Sequence, residues 1–304
     1  MDASAVGTRH AQAIPTGQVS ACYEVLGVEV RLRSAIAAAI EMIDHSYAVF
    51  RTPDVSPAAR LIELTEDPSG AGDFLVSQLD GRRRRLATEH QAALELMDRL
   101  VEAIVTGLLA GGRYAVHAAA LGFRGRAVIV SGPTGAGKTT MALALASRGM
   151  QLMSDELAVL DPRSDEVLAY RRLLHVRPGT PELIPGLAHI ADDPPADLGG
   201  GIAWAVEHPG QDGSSPRALS LGAVVILDPR IDGGAEPVLR EIRPAVASLE
   251  LLRGTWAATT DFEGALAAIG GCVARAPCVR LTAGEPMAAA DGILAWLERN
   301  DVGA

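Results

Sequence analysis

Lysine is nearly absent from this sequence. Among its 304 residues there is a single lysine, Lys138, and the remaining side chains counted as Lys or Arg are all arginine. Arginine serves well at exposed positions, whereas a lysine ammonium is a compact point charge on a flexible stem. The one lysine therefore indicates a position that requires this compact charge.

Cysteine and long apolar runs are also scarce, and acidic side chains outnumber basic ones. Cys22, Cys272 and Cys278 have neither the spacing of a metal site nor that of a disulfide framework, so we expect buried thiols in a reducing compartment. No run approaches the roughly 18 apolar residues of a membrane span, and no apolar signal segment opens the chain. The net charge of −10 argues against nucleic acid and anionic membrane as partners. These features predict a cytoplasmic protein.

The stretch at residues 126–150, RAVIVSGPTGAGKTTMALALASRGM, carries the strongest signal. A β-branched run precedes a glycine-rich loop of the form G-x-x-x-x-G-K-T, and a helical composition follows it, as in a P-loop (Walker A) phosphate site. The alternative is a glycine-rich turn that only joins a strand to a helix. The predicted nucleotide-binding residues are Gly132, Pro133, Thr134, Gly135, Ala136, Gly137, Lys138, Thr139 and Thr140.

Two adjacent acids interrupt an apolar run after this loop. Asp155 and Glu156 lie within residues 149–162, which otherwise predict a strand. A strand through a core does not tolerate unpaired carboxylates, so either the strand ends there or the acids have a function.

The rest of the chain predicts an α/β protein with two domains. Residues 1–20 form a flexible tail and residues 21–111 a small α+β domain, with one strand at 23–32 and a long helix near 88–109. Residues 112–304 form the P-loop domain, in which a long Pro/Gly-rich loop at 177–218 is a candidate lid over a substrate. The run of arginines at 82–85 is predicted as a solvated turn or as a contact for an acidic peptide.

Residues 114–162 resemble the catalytic domain of the HPr serine kinase/phosphorylase family. They look closer still to smaller kinases found beside peptide and small-metabolite biosynthesis genes, including those that phosphorylate lasso-peptide precursors. The likeness is looser towards the C-terminus, and the N-terminal region matches in outline only.

This resemblance implies roles for individual residues. Lys138 and Thr139 match the phosphate-binding lysine and the Mg²⁺-ligating hydroxyl, His117 matches a histidine on the preceding strand, and Asp155 matches the catalytic aspartate. Glu156 replaces a second, metal-associated aspartate, and Arg177 matches the arginine of the corresponding family stretch. His175 occupies the position of a family glutamate, which argues against HPr as the substrate and against reverse phosphorolysis.

The residues leave several roles open. Asp155 can act as a general base on an acceptor hydroxyl or as a Mg²⁺ ligand, and Glu156 as a metal ligand or a surface carboxylate. His117 can contact phosphate or acceptor, or be a core histidine. Arg177 can clamp the transferred phosphoryl group or form a surface ion pair, and Arg243 and Arg253 are weaker candidates for the clamp.

Two functions follow from these predictions. The first is a Mg²⁺-dependent kinase that transfers the γ-phosphoryl group of ATP, or of another donor, to a hydroxyl, favouring serine, of a peptide, protein or amino-acid-like acceptor. The second is a nucleotide-hydrolysing switch with no phosphorylated product. The absence of an N-K-x-D base-recognition motif disfavours the switch. A homo-oligomer is compatible with either function.

Overall fold

The computed structural model describes residues 18–70, 72–184, 186–198, 201–208, 216–228, 236–282 and 284–303. The predicted N-terminal tail, residues 1–20, thus lies almost entirely outside the described residues. The described chain is a mixed α/β structure, in agreement with the predicted fold class, and its strands belong to three sheets.

A six-stranded sheet covered by two helices is built by the first part of the chain. Its elements are β1 (Val19–Val25), β2 (Val28–Ser34), α1 (Ala37–Tyr47), β3 (Arg51–Thr52), β4 (Arg60–Glu66), β5 (Phe74–Ser77), β6 (Arg83–Leu86) and α2 (Glu89–Ala110). The strand order is β3-β1-β2-β4-β5-β6, with β2 and β4 parallel. Helix α2 starts after Thr88, whose hydroxyl accepts a hydrogen bond from the Gln91 backbone N–H and so caps the helix.

Two predictions for this region are wrong. The alternating run at residues 23–32 is a hairpin rather than one strand, because the chain reverses at Leu26 and Gly27, which have φ angles of 51° and 84°. Leucine is seldom found at positive φ, so nothing in the local sequence except the glycine signals this turn. The arginines predicted to form a turn at residues 82–85 lie mostly in β6, an edge strand. Charged side chains on an edge strand discourage pairing with other chains.

A second sheet, of eight strands within the described residues, follows in the chain. It and its surroundings comprise β7 (Tyr114–Phe123), β8 (Arg126–Ser131), α3 (Lys138–Ser147), β9 (Gln151–Ser154), β10 (Leu157–Asp161), β11 (Glu166–Leu168), β12 (Leu174–Val176), β13 (Ala196–Asp197), β14 (Ile202–Val206), β15 (Ala218–Leu227), β16 (Leu239–Glu241), α4 (Pro244–Arg253), α5 (Phe262–Val273), β17 (Cys278–Leu281) and α6 (Pro286–Arg299). The strand order is β11-β10-β7-β8-β15-β17-β16, and β9 also pairs with β7.

Helices cover both faces of the second sheet. Helices α3 and α6 pack against one face and α4 and α5 against the other. This explains why β7 and β8 are apolar at nearly every position, since a strand buried on both faces has no polar side. Strands β8 and β15 are parallel, as are β15 and β17, so their carboxyl ends meet at one edge of the sheet. Ligands commonly bind at that edge in α/β proteins.

The segment predicted as a long loop, residues 177–218, contains secondary structure. Strand β14 lies between β12 and β13 in a small three-stranded sheet. Ile184 and Ala203, both from this segment, are 2 % exposed, and Ile184 joins the core beneath α3. The segment is therefore partly packed, although short strands were not predicted there.

The three cysteines, Cys22, Cys272 and Cys278, are free thiols in the structure. All three cysteines are buried and none of them forms a disulfide, as expected from their spacing. Burial raises the pKa of Cys278 to about 11, so its thiol stays protonated at neutral pH. Across the described ranges, the helices are too short or too polar to cross a bilayer.

Asp161, at the end of β10, links the two sheets. Its carboxylate accepts hydrogen bonds from Arg163 and from Arg113 at 3.0 Å, and Arg113 also donates to the carbonyl of Leu26 in the β1–β2 turn. These hydrogen bonds, that of Arg163 foremost, lower the pKa of Asp161 to about 2. The carboxylate form is thus favoured by the folded state.

We expect Asp161→Asn to lower the free energy of unfolding by about 1–2 kcal/mol at pH 7, a value reduced for the exposure of Arg163. Because the folded pKa lies below the unfolded value, this stabilisation is complete above about pH 4 and disappears as the pH falls through about 2. Urea unfolding at several pH values measures it. Asp80→Asn, in an exposed turn, is the control, and equal losses for the two variants would contradict the assignment.

Candidate active site

The glycine-rich loop, residues 132–137, connects β8 to α3 at the carboxyl edge of the parallel strands. Gly135 and Gly137 have φ angles of 82° and 86°, which suit glycine. A Cβ atom at Gly132 would lie 2.8 Å from the carbonyl oxygen of Leu227, so only glycine fits there. Helix α3 then begins at Lys138, and its first backbone N–H groups have no partner within the helix.

Lys138 is folded back onto this loop. Its Nζ atom donates to the carbonyl oxygens of Gly132, at 2.8 Å, and Pro133, at 3.2 Å, and the residue is only 7 % exposed. Burial lowers the pKa of Lys138, with a further contribution from Arg177, whereas Glu156 opposes the shift. The sole lysine of the chain is thus a largely buried ammonium held at the loop.

Asp155 and Glu156 lie at a bend between β9 and β10, both of which pair with β7. The hydroxyl of Ser154 accepts hydrogen bonds from the backbone N–H groups of Glu156 and Leu157, which stabilises the bend. The predicted single strand therefore ends at the acids, where the chain bends between β9 and β10. This is the first of the two alternatives that the sequence left open.

Arg172 joins the two acids. Its guanidinium lies 3.6 Å from Asp155 Oδ2 and forms an ion pair with Glu156 through Nε. The side chains of Asp155 and Arg172 are 2 % and 6 % exposed, whereas that of Glu156 is 34 % exposed. Asp155 Oδ1 is buried without a hydrogen-bond partner.

The environment separates the pKa values of the two acids. Burial raises the pKa of Asp155 to about 6, against the opposing effect of Arg172 and with a further increase from Glu156. For Glu156 burial also favours the neutral form, but Arg172, His117 and His175 outweigh it and lower the pKa. Glu156 is therefore a carboxylate at neutral pH, and Asp155 has the pKa of an effective base.

Two histidines flank the acids. His117 lies on β7 directly opposite Leu157, its backbone N–H donates to the Gly254 carbonyl at 2.7 Å, and its ring contacts Trp256 edge to face. Burial, followed by the charge of Lys138, lowers the pKa of His117. His175 on β12 forms a 2.5 Å hydrogen bond with the hydroxyl of Ser46 on α1, and burial together with Arg172 lowers its pKa to about 4. Burial thus favours the neutral form of both rings.

The N-terminal sheet's helix α1 helps to position Arg172. The Tyr170 hydroxyl hydrogen-bonds to that of Tyr47 at 2.9 Å, and the Leu173 backbone N–H donates to the Ser46 carbonyl at 3.1 Å. These contacts fix residues 170–173 on both sides of the arginine.

These side chains converge on one cleft of about 300 Å³, here called the phosphate cleft. It is lined by His117, Thr134, Gly135, Gly137, Lys138, Thr139, Thr140, Asp155, Glu156, Arg172, His175, Arg177, Thr180, Gly201 and Ala203. Most of the sequence-predicted site residues are thus brought together. Three predicted loop residues do not line it: Ala136 is buried, and Gly132 and Pro133 line a neighbouring cavity.

Sequence reasoning missed Arg172 and Thr180, and it treated His175 only as a lost acid. Arg172 follows another arginine, and nothing local distinguishes the buried one from its half-buried neighbour Arg171. The side-chain hydroxyl of Thr180 lies 3.1 Å from that of Thr140. Arg243, a weak candidate from the sequence, lines neither this cleft nor the neighbouring cavity.

The neighbouring cavity, of about 710 Å³, is called the side cavity below. It is lined by His117, Ser131, Gly132, Pro133, Thr134, Ile226, Leu227, Asp228, Glu250, Arg253, Gly254 and Arg280. His117 and Thr134 line both spaces, so the two adjoin each other.

The donor set of the phosphate cleft fits Mg²⁺ bound together with phosphate. In the part of the chain that the structure describes, no three His, Cys, Asp or Glu side chains form a complete metal site. Magnesium does not need one, because it uses one or two carboxylates with phosphate oxygens and water. The unpartnered Asp155 Oδ1, in a cleft shared with the Thr139 hydroxyl and Glu156, suits this mode of binding.

We expect Arg172→Met to destabilise the fold by about 3 kcal/mol or more, because it leaves two neighbouring carboxylates without their cation. Thermal or urea unfolding at neutral pH measures the loss. Arg171→Met is the matched control, because this side chain donates to the Pro216 carbonyl instead and should cost less. A similar loss of stability in both variants would show that Arg172 does not balance the negative charge of Asp155 and Glu156.

Comparison with known proteins yields a distant structural likeness. No protein-family model and no curated protein matches this chain. Among solved structures, it is similar to the Hpr(Ser) kinase/phosphatase from Coxiella burnetii, with 15 % identity and a TM-score of 0.30 over 62 % of this chain and 95 % of that one. At this level the likeness carries no functional argument, so the geometry of the site has to supply it.

Proposed function

We propose that this protein is a kinase that transfers the terminal phosphoryl group of ATP, or of another nucleoside triphosphate, to a hydroxyl group of an acceptor. The main support for this proposal is that Lys138 and the glycine-rich loop share one cleft with the acids Asp155 and Glu156. Phosphoryl transfer requires this combination of positive charge, alignment and a base beside the acceptor.

The loop would hold the donor. Backbone N–H groups at the start of α3, together with the helix dipole, favour a phosphate chain at Gly137–Thr140. Lys138 would exchange its contacts with the loop carbonyls for the terminal phosphates. Thr139 and Glu156 would hold Mg²⁺, which when bound neutralises charge on the phosphates, and Asp155 Oδ1 is left for the acceptor's proton.

Asp155 would accept the acceptor's proton. The hydroxyl oxygen forms a bond to the γ-phosphorus, the bond from this phosphorus to the β,γ-bridging oxygen breaks, and the hydroxyl proton passes to Asp155 Oδ1. The nucleoside diphosphate leaves with the bridging electron pair. Arg172 holds the Asp155 carboxylate in position through its Oδ2 atom. Arg177 is exposed at the cleft and can contact the transferred phosphoryl group.

The acceptor that we favour is serine in a peptide, a protein or an amino-acid-like molecule. This choice rests on the resemblance of residues 114–162 to HPr-kinase-like enzymes, including kinases of lasso-peptide precursors. The replacement of a family acid by His175, which is paired with Ser46, supports an acceptor other than HPr.

An acceptor-dependent turnover assay tests the proposal. The protein is incubated with Mg²⁺–ATP and a panel of serine peptides and hydroxy amino acids, while ADP release and product mass are followed. We expect slow hydrolysis of ATP alone and a product that is heavier by one phosphoryl group with a suitable acceptor. Vigorous hydrolysis with no phosphorylated product across the panel would favour the nucleotide-hydrolysing switch instead.

A further inference from the structure

The side cavity lies at the carboxyl end of the parallel strands β8 and β15, beside the opening residues of the glycine-rich loop. Ser131 and Gly132 form its wall on one strand, and Leu227 and Asp228 on the next. The C-terminal residues of α4, from Glu250 onward, complete it. It adjoins the phosphate cleft, with which it shares His117 and Thr134.

The position of Lys138 indicates which end of a bound nucleotide faces this cavity. In a loop of this type the lysine reaches the β- and γ-phosphates. The Lys138 ammonium contacts the carbonyls of Gly132 and Pro133, which both line the side cavity. Thr140, on the other side of the loop, lines only the phosphate cleft. Lys138 itself lines the phosphate cleft, so we infer that the terminal phosphate lies in that cleft at its border with the side cavity, and that the nucleoside extends past Thr140.

The lining of the side cavity favours a charged, polar occupant. Pockets for small molecules are mostly lined by apolar and aromatic side chains. Apart from His117, this lining has no aromatic ring, and it carries four charged side chains: Asp228, Glu250, Arg253 and Arg280. Its volume of about 710 Å³ lies within the range of pockets that hold a drug-sized ligand.

Glu250 organises the cationic part of the lining. Its Oε1 atom accepts from Arg280 at 2.8 Å and its Oε2 atom from Arg253 at 3.0 Å. One carboxylate is thus shared by two guanidinium groups. The Arg253 side chain is 77 % exposed and retains donors that can form a bidentate pair with a ligand carboxylate.

We propose that the side cavity binds the acceptor, a hydroxyl-bearing peptide segment that carries a carboxylate, and that Arg253 recognises this carboxylate. This inference rests on the proposed kinase function. The acceptor hydroxyl passes His117, which lines both spaces, and reaches the γ-phosphate beside Asp155. Bond formation, bond breaking and proton transfer are those given above, and Arg253 takes part in binding only.

The test uses the full chain, Mg²⁺–ATP and short acetylated peptides with a central serine. One peptide has glutamates beside the serine and an amidated C-terminus, a second has glutamines there and a free C-terminal carboxylate, and a third has glutamines and an amidated C-terminus. We expect phosphorylation to favour a carboxylate peptide over the neutral one. The first two peptides distinguish a side-chain carboxylate from a terminal one.

Arg253→Gln should raise the KM for the preferred carboxylate peptide by about 10- to 100-fold, the range for a lost hydrogen bond to a charged group. It should leave the Kd of a nucleotide analogue within about twofold. The control is Arg124→Gln, because Arg124 is also exposed and paired with one glutamate, Glu298, but lies in the turn at the opposite end of β7 and β8. It should change neither constant.

The outcomes separate this inference from the proposed function. Phosphorylation that is indifferent to the carboxylate and to Arg253→Gln would overturn the acceptor site while leaving the kinase intact. A large rise in the nucleotide Kd of Arg253→Gln would instead place the nucleoside in the side cavity. If the wild-type protein phosphorylates none of the peptides but hydrolyses ATP vigorously, the kinase proposal fails as well.

Discussion

We expect Lys138→Ala to lower the turnover of phosphoryl transfer by at least about 10²- to 10³-fold. The reason is that Lys138 is the ammonium at the loop, held at the carbonyls of Gly132 and Pro133 where the terminal phosphates would bind. Lys138→Arg should recover little, because a planar guanidinium does not fit this largely buried position. Retained turnover in Lys138→Ala would contradict the assignment.

The shortage of lysine allows a second, independent measurement. An amine-directed reagent can modify only Lys138 and the N-terminal amino group. We expect Mg²⁺–ATP to suppress the lysine adduct and leave the N-terminal one unchanged, as read by peptide mass spectrometry. Lys138→Arg supplies the control, since only the N-terminal adduct remains. Equal labelling of Lys138 with and without nucleotide would show that the loop does not bind the phosphates.

The parts of the fold that the sequence predicts best are those with local signals. Helix α4, Pro244–Arg253, begins with a proline, which is a local signal for the start of a helix. Helix α5 follows another such signal, because the side chain of Asp261 accepts a hydrogen bond from the Gly264 N–H and caps the helix. The β1–β2 hairpin and the short strands β13 and β14 were missed because tertiary pairing, rather than local propensity, stabilises them.

The candidate site shows the same limit. The loop residues were predicted from their spacing and Asp155 from its place in an apolar run, and the structure brings most of them to one cleft. The role of Arg172 could not be predicted, because its partners lie at the bend between β9 and β10. Its position also depends on contacts of the neighbouring residues with Tyr47 and Ser46 of α1. The pairing of His175 with Ser46 joins residues 129 positions apart, and no local pattern reports it.

Asp155→Asn is the second variant with a large expected effect. Asparagine keeps the size and polarity of the side chain but cannot accept the acceptor's proton, so we expect turnover to fall on the order of 10² or more. Nucleotide affinity should stay near normal, because the loop and Lys138 remain. Unfolding measured in parallel separates this loss from a loss of folded protein.

Glu156→Gln distinguishes the roles of the two acids. Glu156 is the more exposed of the two acids. Burial favours its neutral form, but Arg172 outweighs burial and lowers the pKa of Glu156. Its carboxylate is therefore ionised at neutral pH, as a metal ligand must be. Its replacement should raise the Mg²⁺ concentration needed for half-maximal turnover, with a smaller loss at saturating Mg²⁺ than in Asp155→Asn. If Asp155→Asn changes the Mg²⁺ requirement and leaves saturated turnover intact, the roles are reversed and Glu156 is the base. The two assignments differ in the partner of Asp155 Oδ1, which is buried and has no hydrogen-bond partner. If Asp155 is the base, this oxygen receives the acceptor's proton, and if Asp155 is the metal ligand, this oxygen binds Mg²⁺.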